Sequence, residues 1–192
     1  DIGVTGVQTC ALPISVERVV SAIIKAGVHG GRIGVITPYE GQRAFTVAFM
    51  AQNGTLKSSA YTEVEVASVD SFQGREKDYI VLSCVRSNEG GGIGFLNDPR
   101  RLNVALTRAK YGLVVIGNAR VLAKQPLWHL LISHFKANEC LVEGPLSALK
   151  QSLVHLPPPR RTFVNQTNVL LAGALREGDA EAAAAAEIGR AH

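Results

Sequence analysis

The sequence predicts an α/β fold, a mainly parallel β-sheet flanked by helices on both faces, and three observations carry that expectation. Short, continuously apolar runs recur along the chain, which suits strands buried on both faces. Segments with helical hydrophobic spacing alternate with those runs. Glycine and proline stand at the junctions between them. Doubly buried strands alternating with helices pack as a parallel sheet between two helical layers.

The elements follow in order. Val16 to Ala26 places Val16, Val19, Val20, Ile23 and Ile24 at helical spacing, and Gly27 stops it. Arg32 to Thr37 is a short apolar run, ended by Pro38, that reads as a buried strand. Glu40 to Gln52 reads as a helix carrying Phe45, Val47, Ala48 and Phe49. Val64 to Ser68 alternates apolar and polar residues, so it is a strand nearer an edge. Asp78 to Val85 and Gly112 to Gly117 are two further buried runs, separated by a glycine loop at Gly90 to Gly94 and a helix from Pro99 to Lys110. A last helix runs from Leu127 to Ala137, after Pro126.

The chain has 192 residues, 46% hydrophobic and 19% charged, which excludes a disordered or collagen-like polymer. Its longest apolar stretch, Tyr79 to Val85, falls far short of the roughly 20 residues a transmembrane helix needs, so no membrane partner is expected. Cys10, Cys84 and Cys140 are odd in number and widely spaced, giving neither a disulfide framework nor a zinc site. A reducing, cytoplasmic setting is the expectation. The net charge of +4 is mild, but residues 75–124 hold nine Lys/Arg against four Asp/Glu. Such a basic stretch suits a polyanion, either nucleic acid or nucleotide.

The two ends differ from the middle. Residues 1–14 lack the basic start of a signal peptide and resemble translated sequencing-adapter sequence, as does Glu187 to His192, so both read as non-native. Between them and the fold lie Pro157 to Pro159 and the alanine run Ala182 to Ala186, which has no apolar face to pack. Residues 157–192 are therefore expected to form a flexible tail, and residues 15–156 the folded unit.

Three segments concentrate polar chemistry where elements join. In Thr37 to Arg43, Thr37 is a candidate N-cap, helix-start amides can hold phosphate, and Gln42 and Arg43 can reach a nucleic-acid backbone or base. Ser68 to Asp78 combines Ser68, Ser71 and Gln73 with the charges of Arg75 to Asp78, and Gly74 lets backbone approach a ligand. In Arg100 to Lys110 the apolar residues Leu102, Ala105, Leu106 and Ala109 share one helical face, and Arg101 and Arg108 share another. An arginine there can stabilise charge on a transferred phosphoryl group. Since parallel sheets bind ligands beyond the carboxyl ends of their strands, these segments and Arg86 to Phe95 are all expected at that end.

Other chemistries are not supported. No Gly-Lys-Ser/Thr follows the glycine cluster, so the domain lacks a phosphate-binding loop of its own. His29, His129, His134 and His155 lack partners at metal-ligand spacing. Cys84 sits in an apolar run as a small buried hydrophobe. No nucleophile elbow or Cys/His pairing occurs.

Taken in register, residues 35–43, 65–78 and 92–110 resemble motifs IV, V and VI of the C-terminal RecA-like motor domain of superfamily 1 helicases. Lys124 to Trp128 and Leu141 to Leu146 resemble the up-frameshift (regulator of nonsense transcripts) type, the RNA helicases of nonsense-mediated mRNA decay. The resemblance implies a P-loop NTPase-type second motor domain. Arg108 matches the arginine on the ATP γ-phosphate, the catalytic arginine finger. Gly74 and Glu76 match nucleotide-contacting positions, and Thr37, Pro38, Gln42, Arg43 and Ser68 match the RNA-facing segments. It also implies ATP with Mg2+, whose ligands would lie in the first RecA-like domain, together with single-stranded RNA, that first domain and decay factors as partners. Without a first domain this half-site is expected not to hydrolyse ATP. The alternatives are a non-catalytic nucleic-acid-binding module and the equivalent domain of a related superfamily 1 DNA or RNA helicase.

Overall fold

The computed structural model describes residues 11–84 and 98–156. The glycine loop at 90–94, the Arg86 to Phe95 segment and the tail from 157 onward lie outside the described residues. The order is α1 (Ala11–Lys25), β1 (Ile33–Thr37), α2 (Glu40–Asn53), β2 (Glu65–Ser68), β3 (Lys77–Ser83), α3 (Pro99–Leu106), β4 (Ala109–Ile116), α4 (Ala119–Leu122) and α5 (Pro126–Ala137). A two-stranded antiparallel ribbon, β5 (Val142–Glu143) with β6 (Lys150–Gln151), follows. The helix α1 starts at Ala11, so its first turn includes residues 11–14 of the segment that the sequence sets aside.

The main sheet runs β2-β1-β3-β4, with every pair parallel. The apolar side chains of β1 and β3 alternate between two cores, as strands with period two require. Ile33, Val35 and Val81 face α1 and α2, whereas Ile36, Ile80 and Leu82 face α3, α4 and α5. Helices therefore cover both faces, giving an α/β RecA-like domain. β2 lies at an edge, as its alternation predicts. β4, expected as a doubly buried run, is the other edge: Leu113 and Val115 pack inward, while Tyr111 is 73% exposed. With only β3 beside it, the strand is half solvated.

α2 differs from the sequence expectation in its orientation. Its buried residues are Gln42, Thr46 and Met50, one turn apart, while Phe45 and Val47 are exposed and the Phe45 and Phe49 rings stack at 6.4 Å. The helix therefore lies on the sheet by a face two-thirds polar. Its N-cap position is Tyr39, with no side-chain cap, and not Thr37, which ends β1.

β2 and β3 flank β1 and run parallel to it, so residues 69–76 must return across one sheet face from the carboxyl end to the amino end. The path is short because Phe72, in a 3-10 turn at Asp70–Phe72, lies directly on β1. A Cβ at Gly34 would stand 2.7 Å from Phe72 Cζ and 2.8 Å from Ile80 Cδ1. Gly34 is thus needed for that close approach, and the Phe72 ring fills the space that a side chain would take.

On the opposite face, the buried Glu17 carboxylate joins α1 to the α2–β2 connection. Its Oε1 accepts from the Tyr61 hydroxyl at 2.6 Å and from the Thr55 amide and hydroxyl, each at 2.8 Å. Burial pushes the carboxyl pKa up, but the bonds from Tyr61 and Thr55, with the charge of Lys25, outweigh it and hold the group below the ordinary carboxylate value. A depressed folded-state pKa gives stability that is present above the unfolded-state pKa and lost as pH falls through the folded one. Glu17→Gln is therefore expected to destabilise the chain by about 1–2 kcal/mol near neutral pH, because charge-assisted bonds become neutral ones. In urea titrations the gap between wild type and variant should close as the pH is lowered below the ordinary carboxylate range. A gap that stays constant with pH would contradict a charged Glu17.

Candidate nucleotide and nucleic-acid sites

The structure divides the predicted site residues between the two ends of the sheet. Thr37 and Ser68 end β1 and β2 and pair in register at the carboxyl end, with Pro38, Gln42 and Arg43 just beyond Thr37. Gly74 and Glu76 precede β3, and Arg108 precedes β4, at the amino end. Six steps of β3, Lys77 to Ser83, separate the ends by about 20 Å at roughly 3.3 Å per residue. The expectation that all these segments sit at the carboxyl ends is corrected here. A connection between parallel strands must cross the sheet, so Ser68 to Lys77 starts at one end and finishes at the other.

At the amino end the geometry is close. The Lys77 amide donates to the Arg108 carbonyl at 3.1 Å, and Lys110 Nζ lies 3.8 Å from Glu76 Oε2. Gly74 adopts φ +79°, the left-handed region that favours glycine, and no atom lies within 4 Å of where its Cβ would stand. The turn thus presents bare backbone to open space. Arg108 Nε donates to the Val104 carbonyl at 3.1 Å and Nη2 to the Thr107 hydroxyl at 3.0 Å, so the guanidinium rests on the end of α3. That helix stops at Leu106 and Ala109 already belongs to β4, so Arg101 and Arg108 do not share a helical face as the spacing suggested. Arg101 instead grips Asp70 through Nε at 3.2 Å and Nη2 at 3.3 Å, tying α3 to the crossing segment. An open cleft of about 270 Å³ lies beside this pair, lined by Val69, Gln73, Asp98 and Arg100 among others.

Two charged anchors escaped the sequence reading. Glu65, at the start of β2, pairs through Oε1 with Arg75 and through Oε2 with Lys77 Nζ at 3.2 Å, and Lys77 also donates to the Gly31 carbonyl at 2.8 Å. Burial pushes the Glu65 carboxyl up, but the Arg75 and Lys77 partners outweigh it and hold its pKa below the ordinary value. Asp70, the partner of Arg101, is the other. In sequence, Glu65 was one polar position of an alternating strand; its only signal is the Arg-Glu-Lys triplet ten residues on.

At the carboxyl end the side chains are mostly withdrawn. Thr37 and Gln42 are buried and Pro38 is covered with them. The Ser68 hydroxyl lies 2.9 Å from that of Ser71 and accepts from the Ser71 amide at 3.3 Å, closing its own turn. Arg43 stays at the surface, its Nε 2.6 Å from Glu40 Oε1, and that partner raises the guanidinium pKa. Among the described residues, no three His, Cys, Asp or Glu side chains group to hold a metal ion. Burial pushes the Cys84 thiol up to about 12, in keeping with a small core residue. No helix among the described residues is long and apolar enough to cross a membrane.

A family model described as an AAA domain matches residues 14–120, which takes in all three motif segments. The chain belongs to this AAA domain family. Its homologues there are regulator-of-nonsense-transcripts helicases. It is 66% identical over 149 residues to the regulator of nonsense transcripts 1 homolog of Arabidopsis thaliana, covering 78% of this chain and 12% of the relative. It is 60% identical over 155 residues to regulator of nonsense transcripts 1 of Caenorhabditis elegans, covering 81% and 14%. It is 59% identical over 148 residues to the ATP-dependent helicase NAM7 of Saccharomyces cerevisiae, covering 76% and 15%. The chain thus spans about an eighth of the length of these relatives.

Within this AAA domain, the Glu65 anchor sets the path of the turn at Gly74. Glu65→Ala leaves Lys77 half-buried without its carboxylate and frees Arg75. The expected cost is about 1–2 kcal/mol by urea denaturation, between the values for exposed and fully buried pairs. Amide hydrogen exchange of residues 73–77 should speed up at the same time. Unchanged exchange there would show that Phe72 alone fixes the turn.

Proposed function

We propose that the chain is the second, C-terminal RecA-like motor domain of an ATP-dependent RNA helicase acting in nonsense-mediated mRNA decay, in the cytoplasm. The observation that carries this reading is the 66% identity to a regulator of nonsense transcripts, on a chain whose AAA domain match spans all three motifs. In this reading Arg108 is the catalytic arginine: it leaves its rest on Val104 and Thr107 and gives its planar donor fork to the γ-phosphate as charge develops there. Gly74 offers backbone to the nucleotide, and Glu76, loosely paired with Lys110, is its polar contact. Mg2+ bound with ATP would neutralise phosphate charge. Its ligands belong to a first RecA-like domain, the partner that completes the cleft.

Single-stranded RNA is the polymer partner. Thr37, Pro38, Gln42, Arg43 and Ser68 form its half of the grip at the carboxyl end of the sheet. Decay factors engage the whole helicase. The crossing segment from Ser68 to Lys77 joins the RNA end to the ATP end, so closure of the cleft is passed along a stretch of backbone fixed at both ends.

This 192-residue chain is expected to bind single-stranded RNA with an affinity that falls as salt rises, and to show no RNA-stimulated ATP hydrolysis. Filter binding at two salt concentrations and a phosphate-release assay test both points. Turnover abolished by Arg108→Ala would contradict the half-site reading, and salt-independent binding would contradict the phosphate grip.

A further inference from the structure

Four of the five buried side-chain polar atoms without a hydrogen-bond partner among the described residues lie on the α1 and α2 side of the sheet. They are Thr37 Oγ1, Gln42 Nε2, Thr46 Oγ1 and Ser83 Oγ, on residues between 0% and 8% exposed. Thr37 and Ser83 directly follow the last registered pair of β1 and β3, Ile36 with Leu82, so they are neighbours on adjacent strands, about 4.8 Å apart by sheet spacing. Thr37 and Ser83 stand two residues after Val35 and Val81 on their strands, so both face the α1 and α2 side. Gln42 and Thr46 stand on the buried face of α2 with Met50, which packs in that same core. The set therefore lies at the carboxyl ends of β1 and β3 and in the helix layer over that face, where α2 packs on β2 and β1 and α1 packs on β3.

Buried polar groups are nearly always paired, and one left unpaired carries its full desolvation cost. Four such atoms on one side of the sheet are hydrogen-bonding groups that the protein's own bonding leaves over. Over it, α2 begins without a side-chain cap. We propose that Ser83 is a further nucleic-acid-contacting residue. With Thr37 and Gln42 it forms a concealed polar set that hydrogen-bonds phosphate oxygens of a single strand when the α1 and α2 layer over these strand ends is displaced. This rests on the reading of the carboxyl end as the RNA end, and adds to it a residue from β3, on which none of the predicted RNA-facing residues lies. A hydroxyl suits this role because it can donate to a phosphate oxygen while carrying no charge.

The test uses the full chain and a labelled single-stranded oligouridylate. Ser83→Ala should weaken binding roughly three- to ten-fold, the range of a single neutral hydrogen bond. The slope of affinity against salt should stay as in wild type, since no cation is removed. The melting temperature should not fall, because the deleted hydroxyl has no partner in the folded chain. Wild-type affinity in Ser83→Ala overturns the proposal, as does a weaker affinity accompanied by a drop in melting temperature, which marks a structural role. If Thr37→Val weakens binding and Ser83→Ala does not, the RNA end stands and the assignment of Ser83 fails. If wild type binds no RNA, the reading beneath it fails first and takes the proposal with it.

Discussion

The eight residues between β2 and β3 govern most of the structure. Because the two strands flank β1 in one parallel sheet, the chain must recross the whole sheet, from one end to the other, in the space of residues 69–76. Parallel connections ordinarily take a dozen or more residues and a helix. Here a single 3-10 turn suffices because Phe72 sinks onto Gly34, with no side chain of β1 between the ring and the sheet. Two later features depend on that contact. It sets where the turn at Gly74 emerges, and it lowers the crossing enough for α3 to pack above it.

Charge fixes what packing positions. Asp70 holds Arg101 at the start of the crossing, and Glu65 holds Arg75 and Lys77 at its end. The Asp70 pair is exposed and of modest worth alone, while the Glu65 pairs are more covered. Together they fasten one short segment to α3, to β2 and to the loop before β1, with the buried Phe72 between them. A segment held at several points transmits displacement better than a free loop, since motion at one end cannot be absorbed by local rearrangement in the middle. The polar residues grouped at the two ends of the sheet are joined by this segment and by the strands themselves.

The fold was legible because its strongest signals are local. β1 and β3 announced themselves as continuous apolar runs, β2 as an alternating one, and the glycines and prolines marked the junctions. What could not be read was relational. The face on which α2 lies followed Gln42, Thr46 and Met50 against the stronger apolar signal of Phe45 and Val47, because Met50 joins the core that α1 makes with β1 and β3. The end of α3 came at Leu106, before Arg108, because Ala109 joins the sheet beside Lys77. Helix periodicity continues through both residues and cannot register where a neighbouring strand captures the chain.

The candidate site was legible as residues and illegible as geometry. Motif resemblance picked out Thr37, Ser68, Gly74, Glu76 and Arg108, but no spacing in the sequence indicates that the first two and the last three lie at opposite ends of the sheet. Strand direction decides that: the residues after a strand lie at one end, and those before the next parallel strand lie at the other. Residues 68–78, which read as one compact turn, are therefore a strut with a polar group at each end. Burial was likewise out of reach. Thr37 and Gln42 look like surface donors in sequence, yet both are covered, and their side chains hold polar atoms without a hydrogen-bond partner among the described residues. Residue type marks such groups as polar, but only the packing of α2 on the strand ends decides that they are enclosed.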